Sequence, residues 1–218
     1  YIIYTSGTTG KAKGVLLTTR GMLWVNAACW APIYGMTSND TVLSPLPLFH
    51  SYALNISVLA ILANGATEYI MERFSPQKAL ELLASGRFTL MPGVPTMFHY
   101  MMLAAQQQDQ HTLGALRRCV SAGAIMPSML NTAFENQFGI ELLDGYGITE
   151  TSTMVTMNWP GKSRIGGSCG LALPGLAVRI VDPATGLDVE RGGEGELICR
   201  GPNVMLGYHN KPEETAKA

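Results

Sequence analysis

Short apolar segments alternate with longer amphipathic segments along the first 160 residues of this chain. The apolar segments are bounded by Gly or Pro and have the length of buried strands. They are TVLSPLP (41–47), ATEYIM (66–71), FTLMPG (88–93), RRCVSAG (117–123) and IELLDGYG (140–147). We therefore expect five strands that are buried on both faces.

The segments between these strands carry recognisable helix boundaries. Ser75 and Pro76 predict the start of one helix and Gly86 its end, while Pro127 and Gly139 bound another. Strands separated by helices imply right-handed crossovers and a mainly parallel sheet with flanking helices. Ligands of such α/β folds bind at the carboxyl ends of the strands, which here are the ends of CVSAG and LLDGYGITE.

The pattern changes near residue 160. Beyond it, short apolar segments are separated by Gly, Pro and Asp turns, as in RIVDPATGLDVERGGEGELICRG. This predicts a small strand-rich, antiparallel or barrel-like unit over residues 161–218, after an α/β portion over residues 1–160. The chain starts inside an apolar segment without Met and stops at an unfinished helix start, so we expect further sequence on both sides.

Composition narrows the class of protein. The 218 residues are 47% hydrophobic and 14% charged with a formal net charge of -1, which predicts a soluble globular protein with a sizeable core. Lys and Arg are scattered, which gives no support for a nucleic-acid partner, and no apolar run reaches the roughly 18 to 20 residues of a membrane span. The thiols of Cys29, Cys119, Cys169 and Cys199 lie far apart in sequence, so we expect reduced thiols and a cytoplasmic location.

The segment YTSGTTGKAKGV (4–15) is the strongest candidate for binding chemistry. Between Thr5 and Gly14 it holds three glycines, four hydroxyl side chains and two lysines, which suits a polyphosphate. It is not a Walker A motif, because Thr5 stands where that motif has its first Gly and Ala12 where it has Ser or Thr. Taken alone, it is equally compatible with a solvated hairpin loop.

Four segments together resemble the adenylate-forming superfamily, which includes acyl-CoA synthetases, amino-acid adenylation domains and firefly luciferase. They are YTSGTTGKAKGV, PLFHSYA, DGYGITETS and GEGELICRGPNVMLGY, in the family's order and over essentially the whole chain. The resemblance is to the middle and later part of the family's large N-terminal domain. It places the ribose-binding Asp and the C-terminal domain with its catalytic Lys outside this chain, so we expect the isolated chain to be inactive. Ala12 departs from the family's usual Pro, which costs about 0.4 to 1 kcal/mol of loop preorganisation.

The resemblance implies an AMP-forming acid–CoA ligase with ATP, Mg²⁺ and CoA as ligands. In that reaction a carboxylate attacks the α-phosphorus of ATP to give an acyl-adenylate and pyrophosphate, and a thiol then displaces AMP. The protein must position anions and neutralise charge. The implied ligands of the β- and γ-phosphates are Thr5, Ser6, Gly7, Thr8, Thr9 and Lys11.

The segment DGYGITE is the nucleotide seat that the resemblance implies. Tyr146 would stack on adenine, Gly145 and Gly147 would allow close approach, and Asp144 would accept from the adenine amino group. Outside the motif context, Tyr146 is better explained as a core aromatic.

Five further residues complete the implied site. Thr149 would reach the α-phosphate, Glu150 would hold Mg²⁺, and Gly123 with Ala124 would line the acyl-adenylate pocket. His50 would be the gate of the acid pocket. Outside the motif context, Glu150 is a solvated residue at a helix start and His50 a packed side chain.

His50 also bears on the substrate. Amino-acid adenylation domains usually present Asp at this position to pair with a substrate ammonium, so His50 favours a simple acid, either fatty or aryl. Two alternatives stay open: a non-catalytic nucleotide- or adenylate-binding protein, and an amino-acid adenylation domain.

Overall fold

The computed structural model describes residues 1–5, 12–161 and 163–218. Its strands are β1 (Ile2–Thr5), β2 (Lys13–Leu16), β3 (Thr41–Ser44), β4 (Thr67–Ile70), β5 (Leu90–Gly93), β6 (Arg118–Ser121), β7 (Glu141–Tyr146), β8 (Thr156–Met157), β9 (Leu171–Ala172), β10 (Ala177–Val181), β11 (Glu196–Arg200) and β12 (Gly207–Tyr208). Its α-helices are α1 (Thr19–Val25), α2 (Ser51–Leu54), α3 (Ala60–Asn64), α4 (Pro76–Ala84), α5 (Pro95–Gln107), α6 (Ser128–Phe138) and α7 (Pro212–Thr215). Two π-helical stretches, Asn26–Tyr34 and Asn55–Leu59, extend α1 and join α2 to α3, and a 3₁₀ turn, Thr149–Thr151, follows β7.

A seven-stranded sheet with the order β4-β3-β5-β6-β7-β8-β9 forms the centre of the fold. The first five strands of that order are parallel, and β8 and β9 extend the sheet antiparallel at one edge. The five parallel strands are the five apolar segments singled out from the sequence. The prediction of an α/β fold with a mainly parallel sheet and flanking helices is confirmed.

The predicted helix boundaries are also confirmed. The side chain of Ser75 accepts a hydrogen bond from the backbone N–H of Lys78 and caps α4, whose first residue is Pro76. Helix α6 begins directly after Pro127 and ends at Gly139, which has a φ of 68°. Gly tolerates this left-handed conformation at a helix end better than any residue with a side chain.

Both faces of the parallel sheet are covered by apolar side chains. On neighbouring strands, Val120 and Leu143 belong to one core cluster, whereas Cys119 and Leu142 belong to a second. This alternation follows from the two-residue period of a strand. It explains why the inner strands β3, β5, β6 and β7 read as apolar runs, since most of their side chains are buried on one face or the other. The expectation of burial is wrong for β4, which lies at the edge of the sheet and exposes Thr67, Tyr69 and Ile70.

A second sheet holds the first two strands of the chain. Strand β2 lies between β1 and β12 and pairs antiparallel with both, and Thr5 is opposite Lys13. The Gly/Thr/Lys segment therefore connects two paired strands. The positions Ser6, Gly7, Thr8, Thr9 and Lys11 lie outside the described residues.

In the described part of residues 161–218, the strands β9 to β12 are divided among three sheets. Strand β9 extends the seven-stranded sheet, β10 and β11 form an antiparallel pair, and β12 joins β2. Strands of two residues, such as β9 and β12, are too short to form a stable sheet alone, so they add to existing edges. A unit boundary at residue 160 stays a prediction.

Two general properties complete the description. Among the described residues, every helix is too short or too polar for a transmembrane span. The four cysteines are free thiols, of which Cys29 and Cys119 are buried.

Candidate nucleotide and acid site

A cavity of about 480 Å³ opens where β6 and β7 end, beside β1. Four segments that are distant in sequence line it, and they include many of the residues that the motifs predicted. The lining residues are Ile3, Tyr4, Thr5, Phe49, His50, Ser51, Tyr52, Ala122, Gly123, Gly147, Ile148, Thr149, Glu150 and Thr153. The carboxyl ends of the parallel strands thus form the site, as the fold class predicts.

A second cavity of about 360 Å³ adjoins the first and shares Gly123, Gly147 and Ile148 with it. It adds the remaining predicted positions, namely Ala124, Asp144, Gly145 and Tyr146. Every predicted site residue that the structure describes therefore lines one of two neighbouring cavities.

The turn after β7 requires glycine for steric reasons. A Cβ atom added to Gly147 would lie 1.7 Å from the carbonyl oxygen of Thr153, and one added to Gly145 would lie 2.5 Å from Cε of Met154. Thr153 itself has a φ of 99°, a conformation that residues with side chains rarely adopt. The close approach of the two sides of this turn brings Thr149 and Glu150 to the cavity.

Thr149 is joined to the segment around His50 by a buried hydrogen bond. Its Oγ1 atom lies 3.2 Å from Oγ of Ser51. Ser51 is the first residue of α2, so the helix start and the turn after β7 are held side by side.

His50 caps α2 with its side chain. Its Nδ1 atom accepts a hydrogen bond of 3.2 Å from the backbone N–H of Tyr52. In the neutral imidazole the proton must then sit on Nε2, since a ring nitrogen that accepts carries no proton. The exposed imidazole can therefore donate from Nε2 to an anion in the first cavity.

Glu150 is held at its side chain and its backbone. Its Oε1 atom accepts a hydrogen bond of 2.7 Å from the hydroxyl of Tyr208, and its carbonyl oxygen accepts one of 2.8 Å from the backbone N–H of Met205. The described residues contain no group of three or more metal-binding side chains. A lone carboxylate on a cavity nevertheless fits Mg²⁺, because this ion commonly takes one or two carboxylates and completes its shell with substrate phosphates and water.

Asp144 is a buried acid with an unsatisfied oxygen. Its residue is 8% exposed, and its Oδ1 atom has no hydrogen-bond partner. Burial raises the pKa of Asp144 to about 7, although a hydrogen bond from the backbone N–H of Gly145 opposes the shift. Its carbonyl oxygen accepts a bond of 3.0 Å from Nδ2 of Asn158, which fixes the backbone. An amino group in the second cavity would supply the missing donor.

Tyr146 lies on the second cavity and is 39% exposed. It is therefore not a core aromatic, and its ring can contact a ligand. Burial raises its pKa, and the nearby Cys199, Cys169 and Glu150 add to this shift.

The motifs did not single out five residues that the structure brings to the site. Ser51 and Tyr52 directly follow His50 in the segment PLFHSYA, and Tyr208 ends the segment MLGY, so proximity to a motif was the available signal. The hydroxyl of Tyr52 donates to the carbonyl oxygen of Val120 at 3.2 Å, which joins α2 to β6. The complete set is Ser51, Tyr52, Thr153, Asn203 and Tyr208.

Comparisons with known proteins identify a matching family and several relatives. A family model described as AMP-binding enzyme matches residues 1–209. The chain is 34% identical over 215 residues to the long-chain-fatty-acid–CoA ligase of Bacillus subtilis, which covers 98% of the chain and 38% of the relative. It is 35% identical over 216 residues to the indoleacetate–CoA ligase of Aromatoleum aromaticum, with 99% of the chain and 42% of the relative covered.

Among solved structures, ATP-bound MatB from Rhodopseudomonas palustris matches with a TM-score of 0.91 at 32% identity. The match covers 99% of this chain and 42% of that one. The chain spans about two fifths of the length of the curated relatives it matches.

Proposed function

Because the chain belongs to the family of AMP-binding enzymes, we propose that the full-length protein is an ATP-dependent acid–CoA ligase. The observation that carries this proposal is that Thr5, His50 and the adjacent pair Thr149 and Glu150, which come from three distant segments, line one cavity. Its reaction joins a carboxylic acid to AMP and then transfers the acyl group to the thiol of CoA.

The first cavity suits the adenylation step. Thr149 donates to the α-phosphate of ATP, and His50 donates from Nε2 to the acid carboxylate. The bond between Ser51 and Thr149 keeps these two groups next to each other, which lowers the entropic cost of bringing two anions together. A carboxylate oxygen attacks the α-phosphorus, the bond to the bridging oxygen breaks, and pyrophosphate leaves.

Charge on the leaving group requires cationic and N–H partners. Glu150 would hold Mg²⁺, which neutralises phosphate charge when it is bound. Thr5 would contribute its hydroxyl to the grip on pyrophosphate. The other proposed ligands are Ser6, Gly7, Thr8, Thr9 and Lys11, which lie outside the described residues.

The second cavity is the proposed binding site of the adenine base and of the acyl-adenylate. The ring of Tyr146 stacks on adenine, and the unsatisfied Oδ1 of Asp144 accepts from its amino group. Gly145 and Gly147 let the ligand approach the backbone. Gly123 and Ala124 line the opposite wall of this cavity.

We propose a fatty or aryl acid as substrate. A zwitterionic amino acid would bring an ammonium group beside His50, which offers it no negative charge, and burying an unpaired ammonium costs several kcal/mol. The names of the two relatives, a fatty-acid and an indoleacetate ligase, support both acid classes. The proposed partner of this chain is a C-terminal domain of the same protein, and the free cysteines favour a cytoplasmic location.

The test is an acid panel assayed on the full-length protein. Pyrophosphate release should depend on a fatty or aryl acid and on ATP, and AMP release should require CoA in addition. A matched Glu150→Gln protein should lose the first step. Nucleotide binding without any acid-dependent pyrophosphate release would favour a non-catalytic binder, and the best specificity constant for an α-amino acid would favour an adenylation domain.

A further inference from the structure

Residues 203–208 lie against the turn that carries Glu150. The side-chain amide of Asn203 donates two hydrogen bonds of 2.8 Å, to the carbonyl oxygens of Thr151 and Met154. Asn203 is fully buried, so these bonds do not compete with water. A segment more than 50 residues later in the chain thus fixes the backbone just after the candidate metal ligand.

The same segment also reaches the carboxylate. Tyr208 donates from its hydroxyl to Oε1 of Glu150 at 2.7 Å, and Met205 binds the Glu150 carbonyl from its backbone. A hydrogen bond to Oε1 restricts the rotation of a long side chain. It occupies only one of the lone pairs of the carboxylate, so the group keeps its capacity to bind a cation on the cavity side.

Tyr208 is in turn attached to β2, the strand that follows the Gly/Thr/Lys segment. It pairs with Val15 in the ladder between β12 and β2. The ammonium of Lys13 lies 4.9 Å from the centre of its ring and 2.9 Å from a carboxylate oxygen of Glu214. The ammonium of Lys13 therefore packs over a face of the ring.

We infer that Tyr208 is a positioning residue, which orients the carboxylate of Glu150 and couples it to β2, the strand after the Gly/Thr/Lys segment. This inference rests on the proposed role of Glu150. Groups that hydrogen-bond to a metal ligand fix its orientation, and their loss commonly weakens metal affinity by about 10- to 100-fold. The ring of Tyr208 fills space and its hydroxyl binds Glu150, so the two contributions can be separated by the Phe variant.

The experiment measures metal binding directly, without turnover. Full-length wild type and Tyr208→Phe are titrated with Mn²⁺ in the presence of a non-hydrolysable ATP analogue, and free Mn²⁺ is followed by electron paramagnetic resonance. We expect the variant to bind Mn²⁺ at least about tenfold more weakly. Its affinity for the analogue in excess chelator should stay within about twofold of wild type. The matched control is Tyr100→Phe, an exposed tyrosine on α5 that lines neither cavity.

A double-mutant cycle then tests whether the effect passes through Glu150. In a Glu150→Gln background, Tyr208→Phe should change Mn²⁺ affinity by less than about twofold, because the positioned charge is already gone. An unchanged affinity in the single variant, or an equal loss in both backgrounds, would overturn the inference. A wild-type protein that binds the analogue with no dependence on metal would overturn the proposed role of Glu150, and with it this inference.

Discussion

Two buried aspartates lie at opposite ends of the seven-stranded sheet, and the fold satisfies only one of them. Asp40 directly precedes β3, at the amino ends of the parallel strands, whereas Asp144 lies near the carboxyl end of β7. Their exposed fractions are similar, at 4% and 8%. Their hydrogen-bond partners differ completely.

Asp40 is surrounded by donors. Arg117 donates to both of its oxygens, at 3.0 and 2.9 Å, and the hydroxyl of Thr89 and the backbone N–H of Thr37 add bonds of 2.7 and 2.8 Å. Burial alone would raise the pKa of Asp40, but these hydrogen bonds together lower it below its usual value. Arg117 and Thr89 precede β6 and β5, so the network joins the starts of three parallel strands.

Asp144 has the burial of Asp40 without its partners. Its Oδ1 atom is unsatisfied, and burial raises its pKa to about 7. An unpaired buried polar group costs about 1 to 3 kcal/mol of stability, so a fold that keeps one needs a compensating role. Hydrogen-bond satisfaction, rather than burial, therefore separates the structural end of this sheet from its binding end.

The largest effect should come from closing the binding end with a single methyl group. In Gly147→Ala, the new Cβ would have to displace the carbonyl of Thr153, from which it would be 1.7 Å away. We expect at least a 100-fold loss of ATP affinity, measured by calorimetry on the full-length protein. Gly139→Ala is the matched control, because no atom lies within 4 Å of a Cβ there and only its φ of 68° is strained. It should cost about 1 kcal/mol of stability and leave ATP affinity unchanged; equal losses of affinity in both variants would contradict the prediction.

Disrupting the hydrogen-bond network of Asp40, at the structural end of the sheet, should lower stability and leave ATP affinity unchanged. Asp40→Asn leaves the guanidinium of Arg117 without its counter-charge. Because the side chain of Arg117 is 38% exposed and water can solvate it, we expect a cost of about 1.5 kcal/mol, the lower end of the range for a charged hydrogen bond. Urea denaturation measures this change, and ATP affinity should stay within twofold of wild type. Asp188→Asn, in the exposed pair with Arg179, should cost less than about 0.5 kcal/mol. A loss of ATP affinity in Asp40→Asn without a loss of stability would reverse the assignment of the two ends.

The parts of the fold that could be predicted are those encoded by local patterns. The five parallel strands, the ends of α4 and α6 and the turn after β7 each depend on residues a few positions apart, such as Ser75 with Lys78. The turn carries its own requirement for glycine, which made Gly145 and Gly147 visible in the sequence.

The parts that could not be predicted depend on contacts between distant residues. Arg117 is 77 positions from Asp40, and Thr149 is 98 positions from Ser51. The two-residue strands β9 and β12 are too short to show a period, so their sheet partners are set by packing. The positioning role inferred for Tyr208 rests on a contact across 58 positions, although the residue itself ends a motif.

At the binding end, Asp144→Asn should alter base preference more than stability. Above its pKa of about 7 the carboxylate of Asp144 only accepts hydrogen bonds, whereas an amide both accepts and donates and can therefore also bind the 6-oxo group of guanine. We expect the preference for ATP over GTP to fall about tenfold. The change in unfolding free energy at pH 4, where the folded carboxyl of Asp144 is protonated, should stay below about 1 kcal/mol. Competition binding with the two nucleotides measures the ratio. Asp40→Asn is the control and should keep the wild-type preference for ATP over GTP. If Asp144→Asn also keeps this preference, Asp144 does not contact the base.

The sharpest contrast between the two ends is the pH dependence of stability without nucleotide. The folded pKa of Asp144 is raised from 3.8 to about 7, so between these values the folded state binds a proton that the unfolded state has released. Stability from this group is therefore full below about pH 3.8 and falls as pH rises toward 7. The folded pKa of Asp40 is lowered, so its contribution is present above its unfolded pKa and is lost as pH falls through the folded one. In urea unfolding from pH 3 to 8, the unfolding free energy of wild type should decline as pH approaches 7, and Asp144→Asn should abolish this decline. Wild-type stability should also decline at acid pH, and Asp40→Asn should abolish that second decline. A stability difference between wild type and Asp144→Asn that does not vary between pH 4 and 7 would show that Asp144 is paired in solution, and the contrast between the two ends of the sheet would then fail.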